Sequence, residues 1–566
     1  MFKKRFLILF VFSLFVGFLI VNIAFSTENS SFINGFSHGT IYKAHLKKII
    51  DNFYFTLESN GYDINKLLKL AKEIEKEYMD VIPEKVEWMH GVAKASNISY
   101  EDILMLNCFD KLASPTDECT SFLAQGKVTK NNVTIVAKNR DLGADSYNAV
   151  ELIPHRYPKE KVYRAAYIEI PQVKETYKFI GVKSVGRWGF GQGMNEFQVS
   201  IVDNDAASMD DLAYLKGLHD NDYIRLALER SKTAREAVDV IASLTEKYGQ
   251  AWNGIIFTIG DPNEAWVMEV AGYRWVAKRY KNAVMAIANQ FEITDDYDLA
   301  SADLVSYAIE KGWVPKGTKK INFREVYGAK NAYPRPDEKK IHMWPHYTSQ
   351  IRWERAMELL QSKMGELTCK DLIAFQKDHY DTVRLKNGEI VDMHQVPYYS
   401  SNYKKIGQFI RAICHHDIRG KTVSSSVMIS RPNTPDELGT VWTQLGQPCQ
   451  SIYIPFYMGN ISVPEEFSGA KAASKFYAIR DIAFGEYKKY EPVIKSVFDP
   501  AQEMSFQLDE VIREEALSLI NGGRAEEAEK LLTQFTKERV TEAIKLADIV
   551  LSKMIDKSVE KQSWHK

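Results

Sequence analysis

Apolar residues recur at three- and four-residue steps early in the chain: Tyr42, Leu46, Ile49 and Ile50, then Leu67, Leu70, Ile74 and Tyr78. That spacing marks one face of an amphipathic helix. The stretch from Gly35 to about Ser114 therefore reads as helical, broken at Pro83 and ended by Ser114-Pro115 and Asp117-Glu118. From Thr120 the period shortens to two. Val133, Ile135 and Ala137 alternate with their neighbours, and Tyr167, Glu169 and the run 197–201 read as further strands. One helix is predicted over 222–248, with Ile224, Leu228, Ala234, Val238 and Ile241 near one face and Gly249 as its C-cap. Strands return at 254–259, 265–270 and 284–288, and again at 422–429, 440–445 and 450–455. Beyond Pro464 the pattern is helical, with Val540, Ile544, Ala547, Leu551 and Met554 as an apolar stripe. Two groups of strands with helices between them predict stacked layers of sheet and helix.

The N-terminus reads differently. Lys3-Lys4-Arg5 precedes an apolar run over 6–25, broken only by Ser13, Gly17 and Asn22. A basic flank before such a run marks a secretory signal, and the run is also long enough to span a bilayer of about 30 Å uncleaved. Ala24-Phe25-Ser26 offers small residues for cleavage after Ser26. Either outcome places the rest of the chain outside the cytoplasm, with membrane contact only through an uncleaved N-terminal segment. The 73 Lys+Arg against 74 Asp+Glu leave a net charge of −1, which argues against nucleic acid as a partner. Five cysteines are too few for a disulfide framework. Export leaves room for a single pair among Cys108, Cys369, Cys414 and Cys449.

Chemistry concentrates at one hairpin. Glu118-Cys119-Thr120 opens a strand, Lys130-Asn131-Asn132 turns the chain, and the return strand ends in Lys138-Asn139-Arg140-Asp141. A thiol titrates near about 8.5 and an α-amine near about 7.7–8.0, so one N-terminal cysteine supplies nucleophile and proton acceptor. An inert buried cysteine at a strand start is the plainer reading. The arrangement resembles the opening of N-terminal-nucleophile hydrolases with cysteine as nucleophile, whose precursors cleave themselves just before that residue. Gly193-Met194-Asn195-Glu196 looks like a segment of bile-salt hydrolases and penicillin V acylases, in which the Asn helps form the oxyanion hole.

Further motifs narrow the resemblance to the N-terminal-nucleophile dipeptidases related to secernins. They run from Leu226-Ala-Leu-Glu-Arg-Ser through Asp261-Pro-Asn-Glu-Ala-Trp and Ala288-Asn289-Gln290-Phe291. Asn322-Phe-Arg-Glu-Val-Tyr-Gly328, Val423-Ser-Ser-Ser and Leu445-Gly-Gln-Pro-Cys449 complete the series, in consistent order over roughly 119–459. The resemblance implies an α+β, four-layer αββα sandwich over 119–463. It would follow a signal or anchor at 1–26 and a helical pro-segment at 27–118, with a helical extension at 464–566. The leader is similar to that of acyl-coenzyme A:penicillin acyltransferase-like precursors and would occlude the pocket.

The implied activity is hydrolysis of dipeptides or short peptides through a thioester, after self-cleavage between Glu118 and Cys119. Cys119 is the implied nucleophile, Asn195 and Asn289 the oxyanion donors, and Asp141 the anchor of the α-ammonium group. Arg140 is implied beside them, with Lys138, Asn139 and Arg352 facing substrate. Related members carry Arg where this chain has Lys138, which keeps the charge and loses the planar fork. An N-acyl amide acylase or acyltransferase, or an inactive surface-anchored binding protein, are the alternatives. No cofactor is expected. Gly189-Phe190-Gly191-Gln192-Gly193 precedes a strand where a nucleotide loop needs a helix. His415-His416-Asp417 beside Cys414 lacks companion ligands at useful spacing, so no metal is expected either. Trp188 and Trp442 read as core or pocket walls. The oligomeric state is left open.

Overall fold

The computed structural model describes residues 30–560, apart from 60–62, 82, 114–117, 144–145, 166–167, 186–187, 211, 213–216, 252, 330–346, 381, 385–389, 393–411, 417–419, 469 and 484–486. The predicted signal or anchor at 1–26 and the strand residue Tyr167 lie outside the described residues. The chain divides into two compact units, Met1–Ala113 and Ser114–Lys566.

The first unit is helical, as the three- and four-residue spacing predicts: Ser30–Ser59, Ile64–Val81, Pro83–Ser96 and Tyr100–Ala113. Glycine lets two of these helices meet backbone to backbone. A Cβ on Gly39 would stand 2.4 Å from the Val92 carbonyl oxygen, and one on Gly91 would stand 2.2 Å from that of Phe32. His38 is buried beside this contact, its ring against Tyr42 and Trp88.

The second unit contains every strand among the described residues. In chain order they are β1 (Glu118–Gln125), β2 (Thr134–Gly143), β3 (Asn148–Ile153), β4 (Val162–Arg164), β5 (Glu169–Pro171), β6 (Phe179–Ser184), β7 (Gln192–Asn195), β8 (Ser200–Ala206) and β9 (Gly254–Gly260). There follow β10 (Ala265–Ala271), β11 (Arg274–Tyr280), β12 (Ala283–Ile287), β13 (Leu299–Ala300), β14 (Thr382–Arg384), β15 (Ile390–Asp392), β16 (Gly420–Ser430), β17 (Thr440–Leu445) and β18 (Ile454–Tyr457). One sheet has the order β12-β1-β2-β16-β17-β18, the other β13-β11-β10-β9-β8-β7-β6-β3.

The sheets face each other, β1 and β2 packing on β8 and β9. Helices Asp220–Arg230 and Ala234–Tyr248 cover the outer face of the eight-stranded sheet. There Ile224, Leu228, Val238 and Ile241 join Phe257 and Met268 in one core. Helices Tyr347–Ser362 and Cys369–Gln376 cover the six-stranded sheet, where Leu360 and Phe375 pack with Phe122, Ala137 and Val427. Helix, sheet, sheet and helix make the αββα sandwich that the sequence implied.

Three local readings are corrected. The single helix expected over 222–248 is two, because Thr233 caps a new start by accepting the Glu236 N–H at 3.1 Å, an N-cap bond that favours restarting the helix there. The run 197–201 is not a continuous strand: Gln198 sits at φ 58° in the turn ahead of β8. The last strand lies at β18 rather than 450–455, since Pro448–Gln450 is a short helical turn. Gly249 does close its helix, at φ 76° with its N–H on the Thr245 carbonyl.

The C-terminal helices Tyr487–Asn521 and Ala525–Glu560 pack on each other, and the second lies on β18. The predicted stripe is buried at Val540, Ala547 and Met554. Among the described residues, no helix is long and apolar enough to cross a membrane. Trp442 on β17 is the largest fully buried side chain among the described residues, its ring 4.9 Å from that of Phe506 on the Tyr487–Asn521 helix. Trp442→Ala should cost about 3–5 kcal/mol through lost burial and a residual cavity. Denaturant unfolding reads this directly, and a loss under about 1 kcal/mol would show that the site collapses around the gap.

Candidate active site

Cys119 is the second residue of β1, and the antiparallel register sets its neighbours. Glu118 pairs with Asp141, Cys119 with Arg140, and Ser121 with Lys138. Alternation along a strand places Cys119, Ser121, Lys138 and Arg140 on the face between the sheets, and Thr120, Asn139 and Asp141 on the helix-covered face. Cys119 is buried, and burial pushes its thiol up to about 12. The Lys138 charge and the Asp141 backbone N–H pull the other way, while the carboxylates of Asp141 and Asp203 add to the rise.

The nitrogen of Cys119 has a built partner. β12 pairs with β1 up to Ser121 opposite Ile287, so the chain two residues further on brings Asn289 beside Cys119. The Cys119 N–H donates to Asn289 Oδ1 at 2.9 Å, while Asn289 Nδ2 donates to the Asp205 carbonyl at 2.9 Å. Arg352, on the Tyr347–Ser362 helix and fully buried, spans the same corner. Its Nη1 donates to the Cys119 carbonyl at 2.7 Å and to Thr120 Oγ1 at 2.8 Å, and its Nη2 to Asn289 Oδ1 at 2.9 Å. The planar guanidinium thus fixes the Cys119 backbone and the acceptor of its N–H together. Behind Asn289, the N–H groups of Glu292 and Ile293 donate to the Glu269 carboxylate. Burial pushes that acid up to about 8 against the pull of those N–H groups.

Lys138 reaches across to the other sheet, its Nζ 2.9 Å from Asp203 Oδ1 and 3.2 Å from the Gly191 carbonyl. Burial, the strongest single influence, would lower the lysine, but the Asp203 carboxylate and the neighbouring Cys119 sulfur together outweigh it and the net direction is up. Lys138 therefore carries its charge into the space that Cys119 faces. Arg140 is also buried. It donates to Asn148 Oδ1 at 2.9 Å and lies so close to Gly191 that a Cβ there would be 2.5 Å from its Nε. Asp141 Oδ1 accepts from Thr422 Oγ1 at 2.6 Å, and its Oδ2 lies 3.9 Å from His415 Nδ1. Asn139 donates to the carbonyls of Gln376 and Ile413, at 2.9 and 2.8 Å, within the helix-covered layer.

Asn195 stands elsewhere. Its Nδ2 donates to the carbonyls of Leu228 and Ser231, and its Oδ1 accepts the N–H groups of Phe197 and Val199. Both amide hydrogens are committed to the end of the Asp220–Arg230 helix, so the side chain cannot also serve as an oxyanion donor in this arrangement. A second buried asparagine, which the sequence analysis did not single out, lies one strand later. Asn204 on β8 accepts from Ser121 Oγ at 2.6 Å, and its buried Nδ2 has no hydrogen-bond partner among the described residues. Buried amides rarely go unmatched, and this one faces the strand that carries Cys119. Its signal in the sequence was position alone: an Asn in the strand after Gly-Met-Asn-Glu.

Comparison with known proteins agrees with the dipeptidase resemblance. Two curated relatives, both called probable dipeptidase B, come from Streptococcus pyogenes serotypes M1 and M3. They are 24% identical over 400 residues and 23% over 401, each match covering 64% of this chain and 76% of the relative. Among solved structures, a mutant of conjugated bile acid hydrolase from Clostridium perfringens is 10% identical at TM-score 0.33, covering 60% of this chain and 92% of that one. Penicillin V acylase from Agrobacterium tumefaciens is 12% identical at TM-score 0.32, covering 60% and 86%. At such scores these likenesses carry no weight, and the fold rests on the sheet topology. The profile of peptidase family C69 matches residues 118–497, starting one residue before Cys119. The chain belongs to peptidase family C69 and is a peptide hydrolase.

Proposed function

We propose that the protein is a cysteine dipeptidase that cleaves its own chain between Glu118 and Cys119 and then hydrolyses dipeptides or short peptides outside the cytoplasm. The observation that carries this reading is the cradle at the Cys119 nitrogen. Asn289 Oδ1 accepts its N–H while Arg352 braces both partners. Cleavage would convert that amide into an α-amine with its acceptor already in place. The names of the S. pyogenes relatives support dipeptides as substrate, and Lys3-Lys4-Arg5 with the apolar run behind it supports export.

In self-cleavage, Cys119 Sγ adds to the Glu118 carbonyl carbon, the C–N bond breaks, and the nitrogen takes a proton. Water hydrolyses the resulting thioester, releasing the Glu118 carboxylate and restoring the thiol. In turnover, the α-amine takes the thiol proton as Sγ attacks the substrate carbonyl, then gives it to the departing amine. Water resolves the second thioester. Asn204 supplies the amide hydrogen for the oxyanion, and the Lys138 ammonium favours the thiolate.

The purified enzyme should hydrolyse a panel of dipeptides and leave N-acyl amino acids intact, and Cys119→Ala should abolish that activity. The opposite preference would make it an acylase, and no turnover of either class would make it a binding protein. Asn204→Ala should lower kcat by about 10²–10³ in processed enzyme, as loss of one oxyanion donor does elsewhere. Asn195→Ala should lower the melting temperature and leave kcat of the folded fraction unchanged. A kcat loss at Asn195 with none at Asn204 would reverse the two assignments.

The thiol pKa sets a third expectation. With the precursor thiol near about 12, its thiolate fraction grows about tenfold per pH unit through neutrality. Conversion of refolded precursor, followed by gel, should accelerate in that proportion between about pH 6 and pH 9 without a plateau. A plateau near about pH 7 would mean that the thiol is already activated before cleavage.

A further inference from the structure

Beside the Asp141 end of β2, four side chains from three separate parts of the chain converge. His379, Cys414, His416 and Cys449 each offer one ligand atom, all within 4.8 Å of one another, and the last three are buried. His416 Nε2 lies 3.1 Å from His379 Nε2, 3.3 Å from Cys414 Sγ and 3.2 Å from Cys449 Sγ. An imidazole nitrogen offers one hydrogen or one lone pair, so it cannot satisfy three such neighbours at once. A cation among the four atoms can. With Zn–S near about 2.3 Å and Zn–N near about 2.0 Å, a tetrahedral shell spaces its ligand atoms roughly 3.3–3.8 Å apart.

We propose that His379, Cys414, His416 and Cys449 form a structural zinc site. Two sulfurs and two imidazoles are the donor set that zinc takes in closed tetrahedral sites. Two thiolates balance the ion's charge, which lets the cluster stay buried. Four protein ligands leave no open position, so the role is structural rather than catalytic.

The surroundings are built to hold it. The Cys414 N–H donates to the Asp378 carbonyl at 3.0 Å, and the Asp378 carboxylate is gripped by Arg355 at 2.8 Å. Gln447, two residues before Cys449, donates to the His415 carbonyl at 2.7 Å, and Thr422 Oγ1 accepts the His415 N–H at 2.9 Å. The same turn presents the Ile413 carbonyl to Asn139 and the His415 ring to Asp141. The metal would therefore clamp the 413–416 turn on which two residues of β2 rest. The absence of metal expected from sequence followed from spacing, since His379 and Cys449 lie 37 and 33 residues from His416.

The test is elemental analysis of full-length protein purified without chelators. About one zinc per chain is expected, retained in Cys369→Ser and lost in Cys414→Ser and Cys449→Ser. Should those variants misfold, stripped wild-type protein reloaded with cobalt(II) gives an independent reading. The thiolate-to-cobalt charge-transfer band and the visible bands of tetrahedral cobalt are expected. Zinc-free wild type that yields no such bands would overturn the proposal. So would a Cys414–Cys449 disulfide found by peptide mapping of the native protein.

Discussion

The register between β1 and β2 is the constraint on which the site depends. With Cys119 opposite Arg140, the thiol, Lys138 and Arg140 share the face between the sheets, and Asn139 and Asp141 face the covering helices. A slip of β1 by one residue would turn the thiol to the helix-covered face, away from Lys138 and Arg140. The pairing of β12 with β1 extends the same logic to Asn289, and that of β16 with β2 extends it to Thr422 and Asp141.

Each charge that this register buries has a partner fixed on a different element. Lys138 finds Asp203 on β8, and Arg352 comes from a helix to bind the backbone of Cys119. Leaving either partner unmatched would strand a buried charge, commonly worth about 3–5 kcal/mol. The site and the sandwich are therefore not separable: the contacts that orient Cys119 also join sheet to sheet and helix to sheet. Asn195 shows the reverse case, a polar residue whose four hydrogen bonds serve a turn and a helix end.

Local signals were the most legible in the sequence. The leader helices, the Cys119 hairpin and the Gly249 cap follow from spacing, turn residues and a left-handed glycine, all within a few positions of each other. Asn289 and Arg352 entered through family resemblance, and the structure adds how they meet: Asn289 accepts the Cys119 N–H, and Arg352 donates to both the Cys119 carbonyl and Asn289 Oδ1. Strands β3, β6 and β11 went unread because charged residues such as Glu151, Lys183 and Lys278 interrupt them, and their pairing is decided by distant strands. Asn204 and the His379–Cys449 cluster were illegible for the same reason. Nothing near them in sequence announces neighbours that only tertiary contact supplies, whereas the Gly-Met-Asn-Glu segment announced Asn195 too readily.

The central claim is that the Cys119 nitrogen becomes the catalytic base. It is tested most directly by N-terminal sequencing and intact mass of enzyme that is turning over substrate. Active protein should begin at Cys119, with activity appearing in step with that terminus. Full activity from a chain still joined through Glu118 and Cys119 would contradict the account, because an amide nitrogen cannot accept the proton.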